Sequence, residues 1–137
     1  MPQRTISITD DDMQRLRELI RSAAADDRER PYLAALKTEL DTATVVAPGD
    51  VPADVITMNA RVRLRDGRRT WMITLVYPED ADAENDRISV LAPLGAAILG
   101  CRVGQRVQFR VPGGEQRSCD ILSVEYQPEA AGQARSP

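Results

Sequence analysis

The sequence predicts an α+β chain with a short antiparallel helical hairpin, a proline-rich linker, and a compact antiparallel β-sheet domain carrying one short helix. Two observations support this prediction. Apolar residues recur at helical spacing before residue 44 and alternate with polar residues after residue 60. Between these regions, residues 44–54 contain two prolines and one glycine, which is typical of a linker. The chain has 137 residues, of which 42% are apolar, so it can bury a core of its own.

The helical hairpin is predicted from two apolar stripes. Thr9 is the expected N-cap of the first helix, and Asp10–Asp12 form an acidic first turn. Pro31 suits the start of the second helix. The stripes comprise Met13, Leu16 and Ile20, then Leu33, Leu36 and Leu40. With about 13 to 15 residues in each helix, the hairpin extends only ~20–23 Å. Residues 5–8 alternate and predict a brief strand before it.

The second half predicts a sheet. Strands are expected at 61–65 and 69–77 around the Asp66-Gly67 turn, at 87–91, and at 106–111 and 119–126. Pro93 marks the end of the third strand and the start of a short helix, which Gly100 stops. The expected division is a hairpin at 1–47, a linker at 48–54, a sheet domain at 55–127 and a flexible tail at 128–137.

Composition excludes several classes of function. The chain has two cysteines and no histidine, so it has neither a zinc site nor a Ser-His or Cys-His catalytic pair. Both cysteines are expected to be buried thiols. The net charge of −3 argues against non-specific nucleic-acid binding, and the arginines between residues 61 and 69 are expected on the solvent face of a hairpin. No signal peptide or membrane span is predicted, so we expect a cytoplasmic protein without a cofactor.

The stretch I-S-V-L-A-P-L-G-A-A-I-L-G-C-R-V-G-Q at 88–105, followed by V-P-G-G at 111–114, resembles the C-terminal domain of the GreA/GreB family of transcript-cleavage factors. Further fragments are similar to the regulators of nucleoside diphosphate kinase (Rnk), a group related to that family. These fragments are P-A-D-V-I-T-M-N-A-R-V at 52–62, T-L-V-Y-P at 74–78 and V-E-Y-Q-P-E-A-A-G at 124–132. The resemblance implies an FKBP-like sheet domain, a short coiled coil, and bacterial RNA polymerase as the partner.

The resemblance also implies a docking site. In Gre factors, the loop carrying Ser-Pro of the motif contacts the rim of the polymerase secondary channel. The matching residues here are Leu91, Ala92 and Pro93, with Ala92 in place of the family's serine. Gln105 likewise replaces the family's usual acid. We therefore expect a monomeric, non-enzymatic regulator that binds at the rim, competes with Gre-type factors and has no direct specific contact with DNA.

Three alternatives remain open. Gre factors place two tip acids beside the catalytic magnesium, and the tip here contains Asp26, Asp27 and Glu29. The short hairpin argues against cleavage, because magnesium ligation fails when a carboxylate is misplaced by an ångström or so. An FKBP-type prolyl isomerase would need an aromatic bowl, for which the candidates are Trp71, Tyr77, Phe109 and Tyr126. A direct effect on nucleoside diphosphate kinase would rest on the name of the related group alone.

Overall fold

The computed structural model describes residues 6–26, 31–111 and 114–130. Three α-helices and seven strands lie within these residues. In chain order they are β1 (Ser7–Ile8), α1 (Asp10–Asp26), α2 (Pro31–Asp41), β2 (Thr44–Val45), β3 (Arg61–Asp66), β4 (Arg69–Val76), β5 (Arg87–Ser89), α3 (Pro93–Ile98), β6 (Arg106–Arg110) and β7 (Gln116–Tyr126). Among the described residues, none of the helices combines the length and apolar character that a membrane span requires.

The two predicted N-terminal helices are confirmed. Thr9 precedes α1, its carbonyl accepts from the Met13 N–H at 2.9 Å, and its Oγ1 accepts from the Asp12 N–H at 3.4 Å. The apolar stripes face inward. Met13, Leu16 and Ile20 of α1 and Leu36 and Leu40 of α2 are buried, whereas the side chain of Leu33 lies outside the described part. The helices pack against each other at these stripes, as their spacing predicts.

A two-stranded parallel pair lies at the foot of the helices. β1 pairs with β2. The N–H groups of Thr44 and Val46 donate to the carbonyls of Ile6 and Ile8, respectively, each at a distance of 2.8 Å. The brief strand expected near residues 5–8 is therefore present at Ser7–Ile8. Thr44 and Val45 are therefore paired, although the prolines and the glycine of residues 44–54 are typical of a linker. The β-branched run at residues 44–46 pairs its backbone instead of leaving it unbonded.

The main sheet has five strands in the order β5-β4-β3-β7-β6. The predicted hairpins are present, but the expectation of an antiparallel sheet is wrong at one edge, where β5 runs parallel to β4. Two single 3₁₀ turns, Pro78–Asp80 and Ala83–Asn85, lie in the connection, followed by Asp86 with a φ of 58°. These turns return the chain to the start of β5 in the same direction as β4, so the sheet is mixed.

Strand β7 contains two irregularities that bend it. Its register against β3 shifts between Arg61 and Val62 and again between Arg63 and Leu64, which leaves Glu125 and Leu122 without a paired residue. An extra residue in one strand bends that strand and increases its twist. The sheet therefore curls, and α3 contacts both edge strands, β5 and β6.

The hairpin and the sheet share one hydrophobic core. It contains Ile6, Met13, Leu16, Ile20, Leu36 and Leu40 from the N-terminal part, and Ile56, Val62, Leu64, Ile73, Leu75, Ile98 and Ile121 from the sheet domain. At one contact, Ile6 lies against Gly100, where an added Cβ would be 2.6 Å from its Cγ1. The core thus spans the expected linker at 48–54, and the base of the hairpin is fixed against the sheet.

The segment after β7 is packed, which corrects the expectation of a flexible tail from residue 128. Gln127 is buried, and its Nε2 donates to the carbonyls of Pro52 and Val55, each at a distance of 2.7 Å. Glu129 is also buried and accepts from the Thr57 hydroxyl at 2.7 Å. These polar groups give residues 127–130 bonding partners that their composition does not suggest. Residues 131–137 lie outside the described residues.

Candidate functional site

The corner Leu91-Ala92-Pro93 joins β5 to α3 at the surface. All three residues are partly exposed. Leu91 also packs against the core, so one part of its side chain is buried and the other part is exposed to solvent. The corner therefore presents an apolar surface on a supported backbone. A partner could cover this surface without first ordering a loop.

Ser89, the last residue of β5, holds the backbone of the corner. Its Oγ accepts from the Leu91 N–H, and its carbonyl accepts from the Ala92 N–H, each at a distance of 3.0 Å. The Val90 N–H donates to the Val76 carbonyl at 2.9 Å, which ties this end of β5 to β4. The corner is thus shaped by internal bonds before any partner binds, which reduces the entropy cost of association.

Gly95 allows α3 to approach the end of β5. A Cβ at this position would lie 2.1 Å from the carbonyl oxygen of Ser89 and 3.0 Å from the Val90 Cα. Real Cβ atoms do not approach backbone this closely, so no other residue fits without displacing α3. Gly95 lies in the first turn of α3. Its close contact with Ser89 is what fixes the corner's position.

The ends of α3 follow the predicted signals. Pro93 is its first residue, where a missing N–H has no intrahelical cost. Ala92 is the N-cap, with φ −75° and ψ 153°, and it provides no side-chain hydrogen bond. Gly100 follows the C-cap with a φ of 80°, the left-handed conformation expected at a helix stop. Because alanine has no hydroxyl, the N-cap position of α3 lacks the side-chain bond that serine or threonine can supply there.

A polar junction connects α1 to the end of β4. The Tyr77 hydroxyl donates to Asp12 Oδ1 at 2.6 Å. The Arg15 guanidinium carbon lies 3.7 Å from the centre of the Tyr77 ring, and Arg15 also pairs with Glu79. The junction therefore combines a hydrogen bond, a cation–π contact and an ion pair. It holds the hairpin in one orientation relative to the corner's domain.

Burial dominates the electrostatics of this junction. It raises the pKa of Asp12 above its ordinary value, although the bond from Tyr77 partly opposes the shift. Burial and the neighbouring Asp12 carboxylate raise the pKa of the Tyr77 hydroxyl, so this hydroxyl remains a donor. Asp12 also contributes to a raised pKa at Glu129, whose largest cause is again burial. Burial thus desolvates the carboxyl groups of both Asp12 and Glu129.

A surface groove of about 400 Å³ lies beside the junction. It is lined by Arg15, Glu18, Leu19, Ser22, Tyr77 and Glu79. A second groove, of about 300 Å³, is lined by Ala53, Asp54, Val103, Leu122, Ser123 and Val124. Of the four aromatic candidates for an isomerase bowl, only Tyr77 lines either groove. These grooves therefore lack the aromatic lining that such a site needs.

The predicted tip acids fall largely outside the structure. Asp27 and Glu29 lie outside the described residues, and only the backbone of Asp26 is described, at the end of α1. Within residues 6–26, 31–111 and 114–130, no three acidic or cysteine side chains are grouped as a metal site would require. The relation of the tip acids to the corner thus stays a prediction.

Both cysteines are buried, as predicted. Cys101 donates through Sγ to the Ala97 carbonyl at 3.3 Å, and Cys119 faces the core from β7. Burial is the largest cause that raises the pKa of the Cys119 thiol to about 11. A thiol with so high a pKa is not a nucleophile at neutral pH. The two residues therefore act as small core side chains.

Gln127 and Glu129 are buried polar residues whose packing no local sequence pattern indicates. Both belong to the fragment V-E-Y-Q-P-E-A-A-G at 124–132, which resembles the regulators of nucleoside diphosphate kinase. Composition alone makes this segment look like a tail because it is polar and short of large apolar residues. The recognised fragment was the available signal that its first residues belong to the folded domain.

Comparison with known proteins agrees with this architecture. Residues 51–126 match the family model described as transcription elongation factor GreA/GreB, C-terminal, and residues 4–46 match the Rnk N-terminus. The chain is 43% identical over 135 residues to the regulator of nucleoside diphosphate kinase from Escherichia coli strain K12, covering 96% of this chain and 97% of that relative.

Two further relatives show the Gre connection. The chain is 40% identical over 87 residues to the transcription elongation factor GreA of Chlorobium phaeobacteroides, a match that covers 61% of this chain and 55% of that protein. A solved GreA/GreB elongation factor from Nitrosomonas europaea has a TM-score of 0.76 and 36% identity, with 89% of this chain and all of that chain covered. The chain therefore belongs to the GreA/GreB family, and within it to the group of the regulators of nucleoside diphosphate kinase.

Proposed function

We propose that this protein regulates transcription by docking on bacterial RNA polymerase through Leu91, Ala92 and Pro93, at the rim of the secondary channel. In this proposal it competes there with Gre-type factors and does not stimulate transcript cleavage. The observation that carries the proposal is the corner itself. It lies within the matched residues 51–126, is partly exposed, and has a backbone fixed by Ser89 and Gly95. The relatives' names, which refer to regulation and transcription elongation, support the same process.

The length of the helices supports the non-cleaving part of the proposal. At 1.5 Å per residue, the 17 residues of α1 and the 11 residues of α2 extend roughly 25 Å and 16 Å. Part of that length is used inside the molecule, because Met13, Leu16, Ile20, Leu36 and Leu40 are buried in the shared core. Only the outer part of the hairpin is left to project. The tip acids Asp26, Asp27 and Glu29 are therefore proposed to lie in a solvent-exposed loop and not to bind a metal ion.

Several finer features belong to this proposal. The curled mixed sheet with one short helix is proposed to be of the FKBP-like type, and the hairpin to be a short coiled coil. The protein is proposed to act as a cytoplasmic monomer without a cofactor and without direct specific contact to DNA.

The docking test compares two prolines that occupy the same local position. Pro93 begins α3, and Pro78 begins the 3₁₀ turn at Pro78–Asp80. Aspartate is tolerated in the first turn of a helix, so both Pro93→Asp and Pro78→Asp should fold. We expect wild type and Pro78→Asp to bind core polymerase, and Pro93→Asp to lose at least tenfold in affinity, since it places a charge in an apolar contact. Equal binding of the two variants would refute docking at the corner.

A backtracked transcription complex tests the non-cleaving role. We expect no stimulation of cleavage by wild type above the rate of polymerase alone. Stimulation that is lost in Asp26→Ala/Asp27→Ala would show that the tip acids act as in Gre factors. In that case the cleavage-factor alternative would replace this proposal.

A further inference from the structure

The outward face of the sheet carries a concentration of arginines. We call this surface the arginine face, and it comprises Arg61, Arg63 and Arg65 of β3 with Arg106 and Arg110 of β6. Their strand neighbours Val62, Leu64 and Val107 are buried, so alternation directs the arginines away from the core. On the intervening strand β7, Asp120 and Glu125 contribute two carboxylates. Five arginines against two carboxylates leave three positive charges, although the whole chain has a net charge of −3.

The carboxylates hold the guanidinium groups in place. Asp120 accepts from Arg106 Nε at 2.9 Å and from Arg65 Nη2 at 3.4 Å. Glu125 lies 3.7 Å from Arg63 Nε. The bond from Arg106 lowers the pKa of Asp120, which keeps this carboxylate charged. Each guanidinium has five N–H donors and uses only part of them in these contacts, so oriented donors remain available.

The arginines are accessible. The exposed fractions of the side chains are 42% for Arg63, 49% for Arg65 and 67% for Arg106. Arg61 and Arg110 form no ion pair within the part of the chain that the structure describes, although Arg110 donates to the Gly114 carbonyl at 3.3 Å. An exposed and partly neutralised row of this kind can bind an anionic surface with little loss of side-chain entropy.

The chemistry of the face favours an acidic protein over a nucleic acid. Single-stranded nucleic acids are bound by several aromatic side chains on which the bases stack. Tyr126 is the only aromatic residue at an outward position of β3, β4, β6 and β7 in the described residues. The spacing of the arginines also fits an acidic helix, since residues two apart on a strand lie roughly 6.7 Å from each other. This spacing is close to that of carboxylates four residues apart on a helix.

We propose that the arginine face binds an acidic protein segment, on the same partner to which the corner docks. The identity of that partner rests on the proposed docking to polymerase. The face would act beside the corner's apolar contact, and its arginines would pair bidentately with carboxylates. Because the groups are exposed, the contribution would be sensitive to salt.

Charge reversal at single positions tests this proposal. Arg61→Glu changes an arginine on the face without breaking an ion pair of the described residues. Arg102→Glu makes the same change at an exposed arginine that is not part of the face. We expect Arg61→Glu to weaken binding to core polymerase on the order of fivefold at 50 mM salt, and less at 200 mM. Arg102→Glu should bind like wild type, and equal effects of the two variants would overturn the proposal.

Two further probes separate the possible failures. An (Glu-Ala)₆ peptide should shift the NMR signals of the Arg61 and Arg65 Nε–H groups in wild type, which tests the face even if wild type does not bind polymerase. Absence of these shifts would contradict the proposal independently of polymerase docking. A dT₂₀ oligonucleotide should bind more weakly than the peptide. Tighter binding that Arg61→Glu removes would assign the face to nucleic acid and refute the acidic protein segment.

Discussion

The Tyr77 hydroxyl donates a hydrogen bond of 2.6 Å to the Asp12 carboxylate, which joins the first turn of α1 to the end of β4. The bond crosses the boundary between the helical hairpin and the sheet. Since Asp12 is partly buried and desolvated there, loss of the donor leaves this carboxylate with fewer partners. The orientation of the hairpin therefore depends on this pair together with Arg15 and Glu79.

A double-mutant cycle tests the coupling between Tyr77 and Asp12. Tyr77→Phe retains the ring and removes the hydroxyl, and we expect it to lower the free energy of unfolding by about 1–3 kcal/mol. Asp12→Ala removes the acceptor and leaves the Tyr77 hydroxyl without its partner, so it should have a comparable cost. The double variant should be less destabilised than the sum of the two, as measured by urea unfolding. Strictly additive effects would show that the bond does not contribute.

The buried Glu129 predicts an unusual dependence of stability on pH. Burial raises its pKa above the ordinary value of 4.5, so the folded state binds the proton more tightly than the unfolded state. Its contribution to stability is thus present below pH 4.5 and is lost as pH rises through the folded pKa. Glu129→Gln keeps an acceptor for Thr57 and should therefore be at least as stable as wild type at pH 7.

Glu125 provides a control of opposite sign. Its pKa is lowered, first by the bond from Ser123 and also by Arg63. Its contribution is present above its ordinary pKa of 4.5 and is lost as pH falls through the folded value. Glu125→Gln should hence lose stability relative to wild type at pH 7. If Glu129→Gln is instead the more destabilised variant at pH 7, the desolvation of Glu129 is not the dominant effect.

Gly95 predicts a large and local effect. A Cβ there would lie 2.1 Å from the Ser89 carbonyl oxygen. Gly95→Ala should therefore lower the free energy of unfolding by about 3 kcal/mol or more, which is the magnitude of severe strain in a core. Gly49 serves as the control, because no atom lies within 4 Å of a Cβ added there. Gly49→Ala should therefore change stability by less than about 0.5 kcal/mol. Similar melting temperatures for the two variants would argue against close packing of α3 on β5.

Ala92 predicts a gain of stability. It occupies the N-cap position of α3 without a side-chain hydrogen bond, and a hydroxyl there would accept from an N–H of the first turn. Ala92→Ser should therefore raise the free energy of unfolding by about 0.5–1 kcal/mol, as measured by thermal or urea unfolding. A loss of stability would indicate that the corner cannot accommodate a capping hydroxyl.

The sequence predicts the elements with strong local signals. The stripes of α1 and α2, the Asp66-Gly67 turn between β3 and β4, and the Pro93 and Gly100 boundaries of α3 are confirmed. Each depends on residues close in the chain, where propensity and turn chemistry act directly.

The parallel direction of β5 could not be predicted in the same way. This strand has three residues, so its pattern has no directional information, and its direction depends on two 3₁₀ turns in an acidic loop. The β1–β2 pair and the bonds of Gln127 and Glu129 also join residues far apart in sequence. For the proposed docking site, the motif indicates the corner, whereas the position of its backbone depends on the contact between Gly95 and Ser89, which only the structure reveals.

Competition on polymerase tests the central claim most directly. The rate of Gre-stimulated cleavage is measured in a backtracked complex while wild type, Pro78→Asp or Pro93→Asp is added in increasing amounts. We predict that wild type and Pro78→Asp reduce cleavage towards the rate of polymerase alone, and that Pro93→Asp does not. Cleavage that wild type leaves unchanged or increases, or that Pro93→Asp reduces equally, would contradict a regulator that docks through Leu91, Ala92 and Pro93.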